Sequence, residues 1–255
     1  MLIFDIETGP LPENQLRELL SPFDETTVEG LVTGDFDPSS VRTGNLKDAS
    51  KIAEKIEAAR AAHEAAKANS GKIIADAQAS HWKQFVERAA LSAVTGRVLA
   101  IGYLATESGK FAVEQNDDEE RELLTGFWVK YTACRAKHRI MVGHNIANFD
   151  VPFLARRSVI LGVDVPSTLL PPPSRRYLDS IFADTMALWG FGGREPIKLD
   201  LLGQVLGVGR KTEGFDAADF HKFWFGTPED RELAVEYLVQ DLRVTAGVAQ
   251  RLCLA

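Results

Sequence analysis

The sequence has few cysteines, no long apolar run and no excess of positive charge. Its two cysteines, Cys134 and Cys253, lie far apart and match no metal-ligand or redox spacing. This pattern excludes a disulfide framework and indicates a cytoplasmic protein with reduced thiols. The first residues leave no room for a signal peptide, and no later apolar run is long enough to span a bilayer. No membrane partner is therefore expected.

The charge balance is acidic. The formal net charge is -7, from 29 Lys and Arg against 36 Asp and Glu. This balance argues against a protein that holds nucleic acid mainly through a broad excess of positive charge. Nucleic acid is not excluded, because bound divalent cations would cancel a local cluster of carboxylates. More than half of the candidate phosphate contacts are expected to be ordinary surface charges; the candidates are Arg156, Arg157, Arg175, Arg176, Lys198, Arg210 and Lys211.

Apolar periodicity predicts alternating strands and helices, and hence an α/β fold. The predicted strands cover residues 1–7, 98–105, 110–115, 139–143 and 177–185. The predicted helices cover residues 117–134, 149–161, 199–207 and 229–252. The second and third strands are separated only by a short turn, which predicts a hairpin. The pattern indicates a single domain of residues 1–255.

Residues 45–93 interrupt this alternation. The segment is rich in Ala, Lys and Glu, which favour helix, and Asn69, Ser70 and Gly71 supply a break near its middle. We therefore predict an inserted hairpin of two antiparallel helices. Its mixed charges are those that a soluble helical pair needs, and contact with a substrate strand or a partner protein is the alternative.

Four carboxylates are candidates for metal ligands. Because side chains alternate along a strand, Asp5 and Glu7 point to the same face and can share one ion. Asp150 lies at the start of a predicted helix, since Pro152 fits only the first turn. Asp241 lies in the last predicted helix. Phosphodiester hydrolysis by two metal ions needs such converging oxygen ligands, so the four residues predict a site for divalent cations.

Three motifs carry a resemblance to a known family. FDIET (4–8) matches D-x-E, NIANFD (145–150) matches N-x-x-x-F-D, and YLVQD (237–241) matches Y-x-x-x-D. With these motifs in this order, the sequence resembles the DEDD-type 3′-to-5′ exonucleases of the ribonuclease H-like superfamily, as in the proofreading domains of family B DNA polymerases. The resemblance covers residues 1–9 and about 94–254. It implies a ribonuclease H-like mixed five-stranded sheet flanked by helices.

The resemblance also implies roles for individual residues. The histidine branch of the family has a His where this sequence has Glu236, so Tyr237 indicates the tyrosine branch and would orient the attacking water. Thr8 and Phe149 would contact the terminal nucleotide, with core packing as the alternative for Phe149. Asn145, a third candidate for substrate binding, would support the bound strand or the second motif.

The resemblance implies a metal-dependent 3′-to-5′ exonuclease with two divalent ions, Mg2+ or Mn2+. Its partner would be the 3′ end of single-stranded nucleic acid. The likeness to family B polymerases favours DNA over RNA and a role in repair or proofreading, alone or with a separate polymerase. An exoribonuclease that trims RNA is the enzymatic alternative, because the tyrosine branch serves both substrates. An inactive ribonuclease H-like binding module is the non-enzymatic alternative, although intact carboxylates at all four positions argue against it.

Two residues near these motifs are predicted to be structural. His144 precedes the second motif but has no partner at ligand spacing, which indicates a hydrogen-bonded structural histidine. Asp184, followed by Thr185, is typical of a helix N-cap and not of a fifth ligand.

Overall fold

The predicted strands assemble into one mixed sheet in the computed structural model. The strands are β1 (Leu2–Pro10), β2 (Gly96–Ala105), β3 (Lys110–Gln115), β4 (Met141–Gly143) and β5 (Phe182–Asp184). They lie in the order β3-β2-β1-β4-β5. β1 pairs antiparallel with β2 and parallel with β4, β2 and β3 form the expected antiparallel hairpin, and β4 pairs parallel with β5. The predicted mixed five-stranded sheet is confirmed.

The structure describes most, but not all, of the chain. The described residues are 1–28, 32, 34–44, 46–115, 119–169, 180–210 and 217–254. Arg175, Arg176 and Lys211, three of the predicted phosphate contacts, lie outside these ranges, as do residues 177–179 of the predicted fifth strand. The chain divides into a unit formed by Met1–Leu16 with Arg88–Ala255, and a second unit, Arg17–Glu87. The single domain of residues 1–255 stays a prediction.

The helices follow the predicted alternation with the strands. They are α1 (Glu13–Leu19), α2 (Ala49–Ala89), α3 (Glu120–Ala136), α4 (Asp150–Leu161), α5 (Thr185–Trp189), α6 (Leu199–Leu206), α7 (Phe220–Trp224) and α8 (Pro228–Arg251). α4 begins at Asp150 with Pro152 in its first turn, as predicted. Thr227 caps α8 in a capping box with Asp230. None of the helices in the described part of the chain has the length and apolarity needed to cross a lipid bilayer.

β1 is buried on both faces of the sheet. Phe4 packs against Phe127 of α3, with 5.2 Å between ring centroids. Its neighbour Ile3 points the opposite way and lies in a cluster with Leu242 of α8. Both Ile3 and Phe4 are fully buried. Since side chains alternate, the face that carries Ile3 also carries Asp5 and Glu7, and this is the face that α8 covers.

α2 is one helix of 41 residues, so the prediction of a two-helix hairpin over residues 45–93 is wrong. The Ser70-Gly71 pair does not end the helix. The Ser70 hydroxyl accepts the N–H of Val32 at 3.1 Å and lies 3.1 Å from the carbonyl oxygen of Ala66. A Cβ at Gly71 would meet nothing, so this position is an exposed helix interior. There a glycine costs only about 1 kcal/mol relative to alanine, which the surrounding helix formers outweigh.

Candidate metal centre

Three of the four predicted carboxylates converge on the α8 side of the sheet. Asp5 and Glu7 extend from β1, and Asp241 extends from α8. Each offers one oxygen atom, and these three oxygen atoms lie within 4.8 Å of one another. Glu7 and Asp241 are buried, and Asp5 is half-buried. The structure thus brings together residues from opposite ends of the sequence.

A β-bulge follows the two strand carboxylates. Glu7 pairs with Ala100 and Thr8 pairs with Val98, which leaves one extra residue in β2. The first strand was predicted to end at the carboxylates, but it crosses the bulge and continues to Pro10. A bulge bends and twists its strand locally and changes the direction of neighbouring side chains. Its position makes the bulge part of the geometry of this site.

Asp150 is buried beside β1. Its side chain accepts the N–H of Ile6 at 3.2 Å. Burial raises the pKa of Asp150 well above its ordinary value, and repulsion from the Asp5 carboxylate raises it further. The hydrogen bond from Ile6 places the Asp150 carboxylate beside the strand that carries Asp5 and Glu7. A cluster of carboxylates is stabilised by a proton or by a cation.

The donor atoms of Asp5, Glu7 and Asp241 fit a divalent cation. They are all carboxylate oxygens, which Mg2+ and Mn2+ prefer. Oxygen atoms on opposite sides of a Mg2+ ion are about 4.2 Å apart. A group of oxygen atoms within 4.8 Å therefore needs only small side-chain adjustments to surround one ion. The three residues whose oxygen atoms converge, Asp5, Glu7 and Asp241, would hold a divalent metal, and Asp150 as a fourth ligand stays a prediction.

Tyr237 lies one helical turn before Asp241 on the same side of α8. Its side chain is buried, and its ring centroid lies 6.4 Å from that of Phe220. It belongs to a hydrophobic cluster with Leu99 of β2. This packing fixes the ring. Its role in orienting the attacking water stays a prediction.

Two of the predicted substrate contacts already have partners within the protein. The Thr8 hydroxyl donates a hydrogen bond to the carbonyl oxygen of Ala90 at 2.8 Å. The ring of Phe149 lies 5.5 Å from that of Phe153 and packs, half-buried, against the core beneath α3 and α4. The core-packing alternative for Phe149 is therefore observed. Contact of either residue with a nucleotide stays a prediction.

Asn145 begins the second motif in the left-handed backbone region, with a φ of 62°. Asp184, at the end of β5, accepts the N–H groups of Asn145 at 2.8 Å and Ala147 at 2.9 Å. Asp184 also accepts the N–H of Met186 and caps α5, so the predicted N-cap is confirmed. Its contacts with the second motif were not predicted, because no local pattern signals a bond between residues 39 apart.

His144 is a structural residue, as predicted. Its Nδ1 lies 2.9 Å from the hydroxyl of Thr185, and its Nε2 lies 2.8 Å from the carbonyl oxygen of Ile197. Both ring nitrogens thus contact protein atoms. These two contacts join the start of the second motif to the first residue of α5 and to the segment before α6.

Arg157, a predicted candidate for phosphate contact, is instead a buried partner of Glu120. Its Nη2 lies 2.6 Å from Glu120 Oε2, and the two side chains are 4% and 12% exposed. Its Nη1 donates a hydrogen bond to the carbonyl oxygen of Ala93 at 3.0 Å. With its donors directed into the protein, Arg157 supports the fold. The remaining candidates that the structure describes are exposed; they are Arg156, Lys198 and Arg210.

Comparison with known proteins agrees with this architecture. The family model RNase_H_2, described as RNase_H superfamily, matches residues 86–253. A solved family B DNA polymerase from the hyperthermophilic archaeon Pyrobaculum calidifontis matches with a TM-score of 0.53 and 21% identity, over 66% of this chain and 23% of the polymerase chain. This chain thus spans under a quarter of that polymerase, and the likeness concerns the fold. No curated protein is significantly similar in sequence. Because the family model covers more than half of the chain, the protein belongs to the RNase H superfamily.

Proposed function

We propose that the protein is a metal-dependent 3′-to-5′ exonuclease that releases nucleoside monophosphates from single-stranded DNA. The observation that carries this proposal is the group of carboxylate oxygens within 4.8 Å of one another from Asp5, Glu7 and Asp241. Asp150 adds a fourth carboxylate, buried and repelled by Asp5. A module that only binds nucleic acid gains nothing from a buried cluster of like charges, whereas metal-dependent hydrolysis requires one.

The four carboxylates would hold two divalent cations, Mg2+ or Mn2+. Bound there, the cations would supply positive charge beside the scissile phosphate and would lower the pKa of an attacking water. The protein contributes a preorganised set of ligands. β1 and α8 are packed together through Ile3 and Leu242, so the ligand positions are fixed before substrate arrives.

Tyr237 would position the attacking water. A phenol hydroxyl can both donate and accept a hydrogen bond, which allows it to fix the orientation of one water molecule. The packing of its ring against Phe220 limits the movement of that hydroxyl. Tyr237 lies one turn of α8 before Asp241, so the water would lie next to a proposed metal ligand.

DNA is the proposed substrate class, in repair or proofreading, alone or with a separate polymerase. The fold match to a family B DNA polymerase and the form of the three motifs support DNA over RNA. The exposed basic residues would contact the strand, and the residues around the first two motifs would contact its end. The candidate contacts are Thr8, Asn145, Phe149, Arg156, Lys198 and Arg210.

The test is hydrolysis of DNA and RNA oligonucleotides of one sequence, labelled at the 5′ end. With Mg2+ or Mn2+, we expect a descending ladder of DNA products that is absent with EDTA and absent in Asp241→Asn. A ladder on RNA alone would make the protein an exoribonuclease. Binding of either strand without cleavage by the wild-type protein would make it a binding module and would overturn the proposal.

A further inference from the structure

Asp184 lies outside the group of candidate ligands but is bonded to the loop that leads to Asp150. The carboxylate is buried, and both of its oxygens are used. Oδ1 accepts the N–H of Asn145 at 2.8 Å, and Oδ2 accepts the N–H of Ala147 at 2.9 Å. Oδ1 also accepts the N–H of Met186 at 2.9 Å, which is the cap of α5. One side chain therefore joins the end of β5 to the loop between β4 and α4.

The conformation of that loop depends on the peptide groups that Asp184 holds. Asn145 has a φ of 62°, in the left-handed region that asparagine enters more readily than most other non-glycine residues. The carbonyl oxygen of Asn145 then accepts the N–H groups of Asn148 and Phe149, each at 3.1 Å. α4 begins at the next residue, Asp150. The orientation of the Asn145 backbone thus sets where α4 starts.

We infer that Asp184 is a positioning residue that holds Asp150 in place for metal binding by fixing the two N–H groups of the preceding loop. The inference rests on the proposed metal centre. Asp150 contacts β1 through a hydrogen bond from the N–H of Ile6, at 3.2 Å, so a shift of the start of α4 moves this carboxylate relative to Asp5. Residues that orient metal ligands in this way typically contribute a factor of about 10 to 100 to metal affinity.

The chemistry of the side chain explains why a carboxylate is needed. Two N–H donors approach two different oxygens. An asparagine has only one acceptor oxygen, and its NH2 group would face the second backbone donor. A serine can still cap α5, because its hydroxyl is a good N-cap acceptor, but it is too short to hold both loop N–H groups. Asp184→Ser therefore separates capping of α5 from positioning of the loop.

Thr227 provides a matched control. It caps α8 by accepting the N–H of Asp230 at 3.2 Å, and it is exposed. Thr227→Ala should lower the urea concentration at the unfolding midpoint, because the helix loses its N-cap. It lies at the first turn of its helix and has no contact with the second motif among the described hydrogen bonds. Thr227→Ala therefore lowers stability without changing the loop between β4 and α4.

The experiment is calorimetric titration of Mn2+ into the DNA-free protein, with urea unfolding of each variant. We expect Asp184→Asn and Asp184→Ser to bind Mn2+ at least about tenfold more weakly than the wild type. Thr227→Ala should bind as the wild type does, although it is less stable. If Asp184→Asn does not fold, Asp184→Ser still measures the change in Mn2+ affinity, because serine keeps the cap of α5. Wild-type Mn2+ affinity in a folded Asp184→Ser would overturn the inference.

Binding without DNA separates this inference from the proposed function. A wild-type protein that binds Mn2+ but cleaves no strand would overturn the exonuclease, while weakened binding in the Asp184 variants would still support the positioning role. A wild-type protein that cleaves DNA, with Asp184 variants that bind Mn2+ equally well, would overturn the positioning role alone. A wild-type protein that binds no divalent metal would overturn both.

Discussion

Glu120 and Arg157 form a buried ion pair that joins the first residue of α3 to the middle of α4. Glu120 Oε1 also accepts the N–H of Val98 at 2.8 Å, at the β2 position just beyond the bulge. That bulge lies next to Glu7, and α4 begins at Asp150. The ion pair therefore connects β2, opposite the residue that follows Glu7, with the helix that begins at Asp150.

Loss of the charge on Glu120 should destabilise the protein strongly. Glu120→Gln leaves the Arg157 guanidinium buried without a carboxylate, which typically costs about 3 kcal/mol in the free energy of unfolding. The control is Glu57→Gln, because Glu57 pairs with Arg60 at side-chain exposures of 71% and 47%. That change should cost less than about 1 kcal/mol. Urea unfolding compares the two, and equal losses would contradict the structural role of the buried pair.

Divalent metal should stabilise the folded protein through the carboxylate cluster. A ligand at 100 times its dissociation constant adds about 2.7 kcal/mol to the free energy of unfolding. We expect Mn2+ to raise the Tm of the wild type, EDTA to reverse the rise, and Asp241→Asn to remove most of it. Thermal unfolding measures each effect. A full rise in Asp241→Asn would exclude Asp241 from the metal centre.

Asp150 should make the metal-free protein less stable as the pH rises. Its pKa is raised by burial and by repulsion from Asp5, above an ordinary value of 3.8. The folded protein therefore keeps a proton that the unfolded chain loses. The associated stability is full below pH 3.8 and is lost as the pH rises through the folded pKa. Asp150→Asn removes this charge while its amide oxygen can still accept the N–H of Ile6.

In EDTA at pH 8, we expect Asp150→Asn to be more stable than the wild type by at least about 1 kcal/mol. The difference should shrink as the pH falls towards 4. Asp164→Asn, at an exposed position after α4, is the control and should change little. Urea unfolding across this pH range is the measurement. A constant difference between Asp150→Asn and the wild type would contradict the assigned cause.

Tyr237→Phe should separate water positioning from packing. Phenylalanine keeps the ring against Phe220 but removes the hydroxyl. We expect turnover to fall roughly 100-fold, with little change in the free energy of unfolding. Loss of a ligand, as in Asp241→Asn, should reduce turnover further. Single-turnover cleavage at saturating DNA measures both, and an unchanged rate in Tyr237→Phe would make the residue a packing group.

Gly71→Ala should stabilise α2 by about 1 kcal/mol. The position is inside a continuous helix, and an added Cβ would meet nothing. In a two-helix hairpin, a glycine ending the first helix would adopt positive φ, and alanine would then destabilise it. Gly162→Ala is the control, since Gly162 ends α4 with a φ of 68° and should lose stability. Far-ultraviolet circular dichroism, recorded during unfolding, distinguishes stabilisation in Gly71→Ala from destabilisation in Gly162→Ala.

Local signals explain which parts of the site could be predicted from the sequence. The two-residue spacing of Asp5 and Glu7 places them on one face of a strand, and Pro152 places Asp150 at a helix start. The break at Gly71 was misread because composition does not show that the neighbouring Ser70 has a partner in a distant segment. Helix propensity predicts that the insertion is helical, but it does not predict that the insertion forms one continuous helix.

The supporting residues could not be predicted from local patterns. Arg157 and Glu120 are 37 residues apart, and Asp184 and Asn145 are 39 apart. Each pair meets only because α3 and α4 pack against the sheet to which β5 belongs. From the sequence alone, Arg157 is typical of a surface charge, and Asp184 is typical of a helix N-cap. Only the tertiary structure shows that both reach the elements around the candidate ligands.

The proposed ligands come from three elements that a ribosome makes at different times. β1 carries Asp5 and Glu7, α4 begins with Asp150, and α8 carries Asp241. A nascent chain that lacks α8 cannot present the complete set, because α8 supplies Asp241. The proposed nuclease activity would therefore be absent until α8 has been synthesised and has covered its face of the sheet.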